Sequence, residues 1–278
     1  MKINLHTHSN CSLDGEYNIN ELIEILKKEK FDIVSITDHD TCEAYKQINN
    51  KVEDLVIITG VEADAIVNDC TYDFLCYGFD LDNVYRYASL KYETVDKRQK
   101  KIFDALVKKC NSLHIELNNI DSYNSLTEYA HAALYRMLNN DFLNKYSITS
   151  VSDLYRLSTI NKDFPLYIDM HIVWPDIKEL LSIIHENNGK VFLAHPCRYN
   201  KKVEDVLNEV KDYVDGIEIC NNPKDREEVE FLYKYAIENN LLVSTGSDYH
   251  GNDRYSIDNN YLTDKMIQSI LEWINELK

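Results

Sequence analysis

Six short stretches of this 278-residue chain carry residues able to do chemistry: His6-Thr7-His8, Asp38-His39-Asp40, Glu62, Asp73, His195, and Asp248 with His250. Two of them pair a histidine with a second donor at i, i+2, a spacing that on an extended segment turns both side chains to one side. Imidazole with carboxylate is the ligand set of zinc, manganese or iron in water-activating sites. A lone histidine at a strand end is ordinarily a cap, and one His-x-His is a weak sign. Recurrence at five strand ends predicts a polynuclear metal site. The chain has no G-x-S-x-G elbow, Walker loop or G-x-G-x-x-G sequence, so acyl transfer, P-loop and dinucleotide-binding chemistry lack support.

The elements that must position these residues alternate. Strands are expected at Lys2–Leu5, Asp32–Thr37, Leu55–Val61 and Tyr72–Phe79, with a helix at Ile19–Lys28 and another opened by an Asp40-x-x-Glu43 capping box. Asn83 to Phe164 reads as helices (Tyr85–Cys110, Leu126–Asn139, Val151–Leu157). Alternation then resumes with strands Val191–Ala194, Gly216–Ile219 and Leu242–Thr245 among helices Asp176–Asn187, Val203–Tyr213, Asp225–Asn239 and Asp264–Leu277. This rhythm predicts parallel strands with helices outside. The expected fold is α/β, a distorted (β/α)7-type barrel with parallel strands, residues 1–82 and 167–278, carrying a helical insertion at 83–166. Five of the nine histidines fall just past the C-terminal ends of these strands, the rim where barrel loops converge.

Composition narrows the substrate. Thirty Lys and Arg against 47 Asp and Glu give a formal charge of −17, which argues against holding long nucleic acid by a basic surface. Phosphorylated small molecules remain open if metal ions supply the positive charge. No apolar run resembles a signal peptide or a membrane span, so no membrane association is expected. The seven cysteines are scattered without a C-x-x-C pair, as expected of reduced thiols in a cytoplasmic protein.

The stretches LHTHSNCSLDG (5–15), ITDHDT (36–41), GVEADA (60–65), CYGFD (76–80), FLAHPCRY (192–199), DGIEICN (215–221) and GSDYHG (246–251) resemble the PHP (polymerase and histidinol phosphatase) family of metal-dependent phosphoesterases. They resemble most the branch hydrolysing nucleotide phosphates and short oligonucleotides. The resemblance implies up to three divalent ions, manganese first, with zinc or iron as alternatives. His6, His8, Glu62 and Asp248 would hold one, Asp14, His39 and His250 a second, with Glu62 bridging to a third bound by His195. Asp73 stands where the family usually has histidine. Four carboxylates neutralise two divalent ions, so only a third leaves the pocket positive toward phosphate. Arg198 is then the candidate phosphate clamp, because guanidinium matches two phosphate oxygens.

The leading expectation is hydrolysis of phosphate monoesters of small nucleotides by a metal-activated hydroxide. The alternatives are a 5′-to-3′ exonuclease on short oligonucleotides, a histidinol phosphate phosphatase and a non-catalytic metal-binding scaffold. Cys11, Cys42 and Cys197 read as packing residues, Asp40 as a helix N-cap and Asp38 as a supporting or structural carboxylate. His131 and His171 read as plain polar side chains with a possible substrate-facing role. Lys97-Arg98-Lys100-Lys101 reads as a solvated helix face.

Overall fold

A computed structural model describes residues 1–48, 52, 54–85, 93–199, 201–221, 226–251, 256–258 and 261–277. In chain order its main elements are β1 (Ile3–Asn4), α1 (Ile19–Lys28), β2 (Ile33–Ile36), α2 (Glu43–Lys46), β3 (Val56–Val67) and β4 (Cys70–Tyr77). Next come α3 (Val95–Ser112), α4 (Ala130–Met137), α5 (Asn140–Lys145), α6 (Val151–Ile160), α7 (Ile177–Glu186) and β5 (Lys190–Leu193). The chain finishes with α8 (Val203–Val210), β6 (Gly216–Asn221), α9 (Arg226–Glu238), β7 (Leu242–Gly246) and α10 (Asp264–Ile274). Parts of the expected helices Tyr85–Cys110 and Asp225–Asn239 lie outside the described residues. The expected helix Leu126–Asn139 is shorter, Ala130–Met137, and a separate helix follows it. Among the described residues no helix is long and apolar enough to cross a membrane.

Packing divides the chain into two compact units. One comprises Met1–Ala65, Tyr72–Tyr87 and Ile177–Lys278; the other comprises Ile66–Thr71 and Ala88–Asp176.

The first unit is a seven-stranded barrel in which the strands follow one another in sequence order. Strand pairs β1–β2, β2–β3, β5–β6 and β6–β7 are parallel. The amide of Leu5 donates to Thr245 O at 2.9 Å and Thr7 bridges Tyr249, which brings the last strand back to the first. One expectation needs correction: β4 runs antiparallel to β5. No helix separates β3 from β4, and the two-residue turn Asn68–Asp69, with φ of 49° and 64°, folds the chain straight back as a hairpin. Strand β3 also runs on past the expected end, so Glu62 lies inside it.

Local chemistry explains the scaffold. Helix α1 buries Ile19, Leu22, Ile23 and Leu26 along one stripe and starts in a capping box between Asn18 and Glu21. Trp273 of α10 stacks on Tyr77 and packs against Phe192, and its indole N–H donates to Val243 O at 2.8 Å. Gly246, at the end of β7, is required by a close approach: a Cβ there would lie 2.0 Å from the Cβ of His6. The absent side chain lets β7 close against the residues after β1.

The second unit has its own core, including Phe103, Leu106, Leu134, Met137, Leu154, Leu166 and Trp174. Arg98 is buried with its guanidinium 4.6 Å from the Trp174 ring, so the 97–101 run is not wholly a solvated face. Lys100 and Lys101 do remain outside, paired with Asp104 and Glu93. His131 is buried against Ser158 Oγ at 2.9 Å, and burial pushes its imidazole down to about 3, which makes it a neutral core residue. His171 is exposed and paired with Asp169 at 2.7 Å.

Candidate metal centre

Loops after the strands, together with Glu62 within β3 and Asp73 within β4, bring three groups of donors together: His6, His8, Glu62 and Asp248; His8, His39 and His250; and Glu62, Asp73 and His195. Within each group one donor atom per residue lies within 4.8 Å of the others. Asp14 adjoins the second group, its Oδ2 3.3 Å from His250 Nε2 and 4.0 Å from His39 Nε2. The structure thus places together all nine residues singled out as ligands. Glu62 is the hub, almost wholly buried, with Oε2 3.0 Å from His6 Nε2 and Oε1 3.0 Å from His195 Nε2.

Tautomers follow from the outer partners. His6 Nδ1 faces Glu218 Oε1 at 3.0 Å and His250 Nδ1 faces the Asp248 carbonyl at 2.8 Å, so both rings donate from Nδ1. Each Nε2 lone pair is then turned inward. His6 Nε2 lies 3.1 Å from His8 Nε2 and 3.2 Å from Asp248 Oδ1. Lone pairs of two imidazoles and two buried carboxylates meeting at such distances repel one another unless protons or a cation sit among them. This donor set fits divalent cations.

The same crowding sets the proton affinities. Burial alone would lower His6, but Glu62, Glu218 and Asp248 hold it well above the ordinary histidine value. Burial alone would raise Glu62 and Asp248, yet the facing histidines hold both carboxyls well below the usual range. His8 and His39 are raised, and Asp14 is lowered by His250 and His39. Cation binding must therefore displace protons.

Supporting contacts extend beyond the ligands. Buried Asp38 accepts from the Ser9 amide and Oγ at 2.6 and 2.7 Å and from Ser12 Oγ at 3.2 Å. Ser12 Oγ in turn accepts from the His39 amide at 2.9 Å and lies 3.3 Å from His8 Nδ1, so Asp38 organises the loop that orients two histidines. Asp40 is not a helix cap. Helix α2 begins after Cys42 with no side-chain cap, and Asp40, in left-handed backbone at φ 54°, accepts from the Asp64 amide at 3.0 Å. His195 (φ 31°) and Asp248 (φ 54°) are also left-handed, strain of the kind that gathers at functional sites. Cys42 is buried as expected, Cys11 is half-buried, and Cys197 is exposed rather than packed. Arg198 Nη1 donates to Asp248 Oδ2, at the edge of the centre.

Sequence reasoning missed Glu218. Fully buried, it holds His6 Nδ1 with one oxygen and accepts the His195 amide with the other at 2.8 Å. Its signal was a carboxylate between Ile217 and Ile219 in a core strand, where an unpaired charge has no place.

A barrel with a histidine–carboxylate centre at its mouth defines a class of metal-using hydrolase scaffolds. A model of the PHP domain matches residues 4–277, and the chain belongs to the PHP family. It is similar to the 5′-3′ exoribonuclease of Haemophilus influenzae (25% identical over 267 residues, 90% of each chain). It is also similar to the 5′-3′ exoribonuclease of Escherichia coli (22% identical, covering 88% of this chain and 84% of that one). A solved structure described as a candidate metal-dependent phosphoesterase from Bifidobacterium adolescentis superposes with a TM-score of 0.63 at 22% identity, covering 98% and 96% of the two chains. An amidohydrolase structure from Chromobacterium violaceum gives 0.68 at 18%, covering 97% and 96%. These structural likenesses show the fold.

Proposed function

We propose that this protein is a metal-dependent phosphoesterase that removes nucleotides from the 5′ end of short RNA. The observation that carries hydrolysis is the meeting of three donor groups on the two oxygens of Glu62 and its neighbours. The RNA end as substrate is supported by the relatives named 5′-3′ exoribonuclease, which align over nearly the whole of both chains. Divalent cations held there would lower the pKa of water and polarise a phosphoryl oxygen. His6, His8, Asp14, His39, Glu62, Asp73, His195, Asp248 and His250 are the proposed ligands, with manganese the proposed ion. Glu218 and Asp38 keep the rings in the required tautomer and pose. Arg198, beside Asp248, is the proposed contact for a phosphate oxygen.

A second reading is phosphate release from a mononucleotide or 3′,5′-bisphosphate, favoured by the charge of −17, which disfavours long polyanions. The two are separated by incubating the Mn²⁺-loaded protein with a 5′-phosphorylated RNA trinucleotide, AMP, 3′,5′-bisphosphoadenosine and histidinol phosphate. The first reading expects nucleoside 5′-monophosphates from the trinucleotide, lost in Asp248→Asn. Inorganic phosphate from the mononucleotides alone supports the second. Release from histidinol phosphate alone, or turnover of nothing, overturns both.

A further inference from the structure

The loop between β1 and α1 holds a serine whose single proton decides where a neighbouring ring keeps its own. Ser12 is buried, and its Oγ touches three groups: the His39 amide nitrogen at 2.9 Å, Asp38 Oδ1 at 3.2 Å and His8 Nδ1 at 3.3 Å. A hydroxyl has one proton to give and two lone pairs to fill. The His39 amide can only donate, so it occupies one lone pair. One proton and one lone pair then remain for Asp38 and His8.

Asp38 settles how they are shared. Its Oδ1 already accepts the Ser9 amide at 2.6 Å. Its Oδ2 accepts the Ser9 hydroxyl at 2.7 Å, whose oxygen in turn accepts the Cys11 amide at 3.2 Å. A carboxylate oxygen has only lone pairs to offer, so the Ser12 proton goes to Asp38 Oδ1. The lone pair left over faces His8 Nδ1, which must therefore donate. The reverse arrangement would set the Ser12 oxygen against Asp38 Oδ1 with no proton between them, in the protein interior.

The consequence reaches the centre. With its proton held on Nδ1, the neutral His8 ring turns a bare Nε2 to Glu62 Oε2 and Asp248 Oδ1, each 3.2 Å away. Without the hydroxyl, Nδ1 loses this acceptor and the two carboxylate oxygens draw the ring proton to Nε2, the atom a cation needs. We infer that Ser12 is a positioning residue: oriented by Asp38 and the His39 amide, it keeps the His8 proton on Nδ1 and leaves Nε2 open to a cation. The inference deepens the metal-centre reading and rests on it.

The test is nitrogen NMR of histidine-labelled, chelator-stripped protein in alkaline buffer, for wild type, Ser12→Ala and Ser12→Thr. Mn²⁺ titration calorimetry and circular dichroism are run on the same samples. His8 Nδ1 should carry a proton in wild type and in Ser12→Thr, whose hydroxyl repeats the bonds. In Ser12→Ala the proton should move to Nε2, and Mn²⁺ affinity should fall about 10- to 100-fold in a folded protein. An unprotonated His8 Nδ1 in wild type overturns the inference, even where neither variant folds. So does a folded Ser12→Ala that keeps the Nδ1 proton, as a merely structural serine would allow, or that binds Mn²⁺ within threefold of wild type. A folded Ser12→Thr that loses the Nδ1 proton overturns it as well. A wild type that shows the expected ring proton but binds no Mn²⁺ would refute the metal-centre reading, and the positioning role with it.

Discussion

Replacing Glu218 by Gln changes no volume but reverses one hydrogen bond. One carboxylate oxygen faces His6 Nδ1 at 3.0 Å and the other accepts the His195 amide at 2.8 Å, both fully buried. A glutamine offers one acceptor and one donor. If its oxygen keeps the His195 amide, its NH₂ faces His6 Nδ1 and forces the ring proton onto Nε2, which removes the lone pair turned toward Glu62 and Asp248. If its oxygen keeps His6, its NH₂ opposes the His195 N–H. Losing a buried hydrogen bond to a charged acceptor costs about 1.5–3 kcal/mol, and about 1.4 kcal/mol is tenfold in affinity. Mn²⁺ affinity should fall by roughly 10- to 100-fold, the range usual for outer partners of ligating histidines. The assay is calorimetric titration of the chelator-stripped protein, with circular dichroism to check the fold. An affinity within threefold of wild type, in a folded variant, would refute the tautomer argument.

Further expectations concern pH and the barrel seam. His6, His8 and His39 are raised, so each stabilises the metal-free fold below about 6.5 and loses that contribution as pH rises through its raised value. Asp14, Glu62 and Asp248 are lowered, so their contribution is present above about 4 and fades as pH falls. The melting temperature in chelator should therefore fall between pH 6 and 9, while in Mn²⁺ it should rise over the same range as the cation displaces protons. A chelated protein that gains stability from pH 6 to 9 would contradict the assignment. Gly246→Ala places a methyl 2.0 Å from the Cβ of His6 and 2.7 Å from its amide nitrogen. Denaturant unfolding should show a loss of about 1–3 kcal/mol or more, together with weaker Mn²⁺ binding.

Much of the candidate site was legible in the chain because its candidate ligands come as short local patterns. His6-x-His8 and Asp248-x-His250 declare paired donors just past predicted strands, and the strand-helix rhythm places them at one rim, although Asp248 itself sits in left-handed rather than extended backbone. Tertiary structure decided what spacing could not. The reversal of β4 depends on a two-residue turn at Asn68–Asp69, whose positive φ values no hydrophobic period reports. Asp40 looked like a cap because capping boxes are read locally, yet its carboxylate answers the Asp64 amide, 24 residues away. Glu218 gains its meaning from His6, 212 residues distant, and from the His195 amide, 23 residues away, and Arg198 from Asp248, 50 residues away. Which side chains can act as donors is a property of side-chain type and local spacing, which one sequence displays. Tautomer, register and the pairing of buried charges depend on contacts between distant segments, which exist only once the barrel has closed.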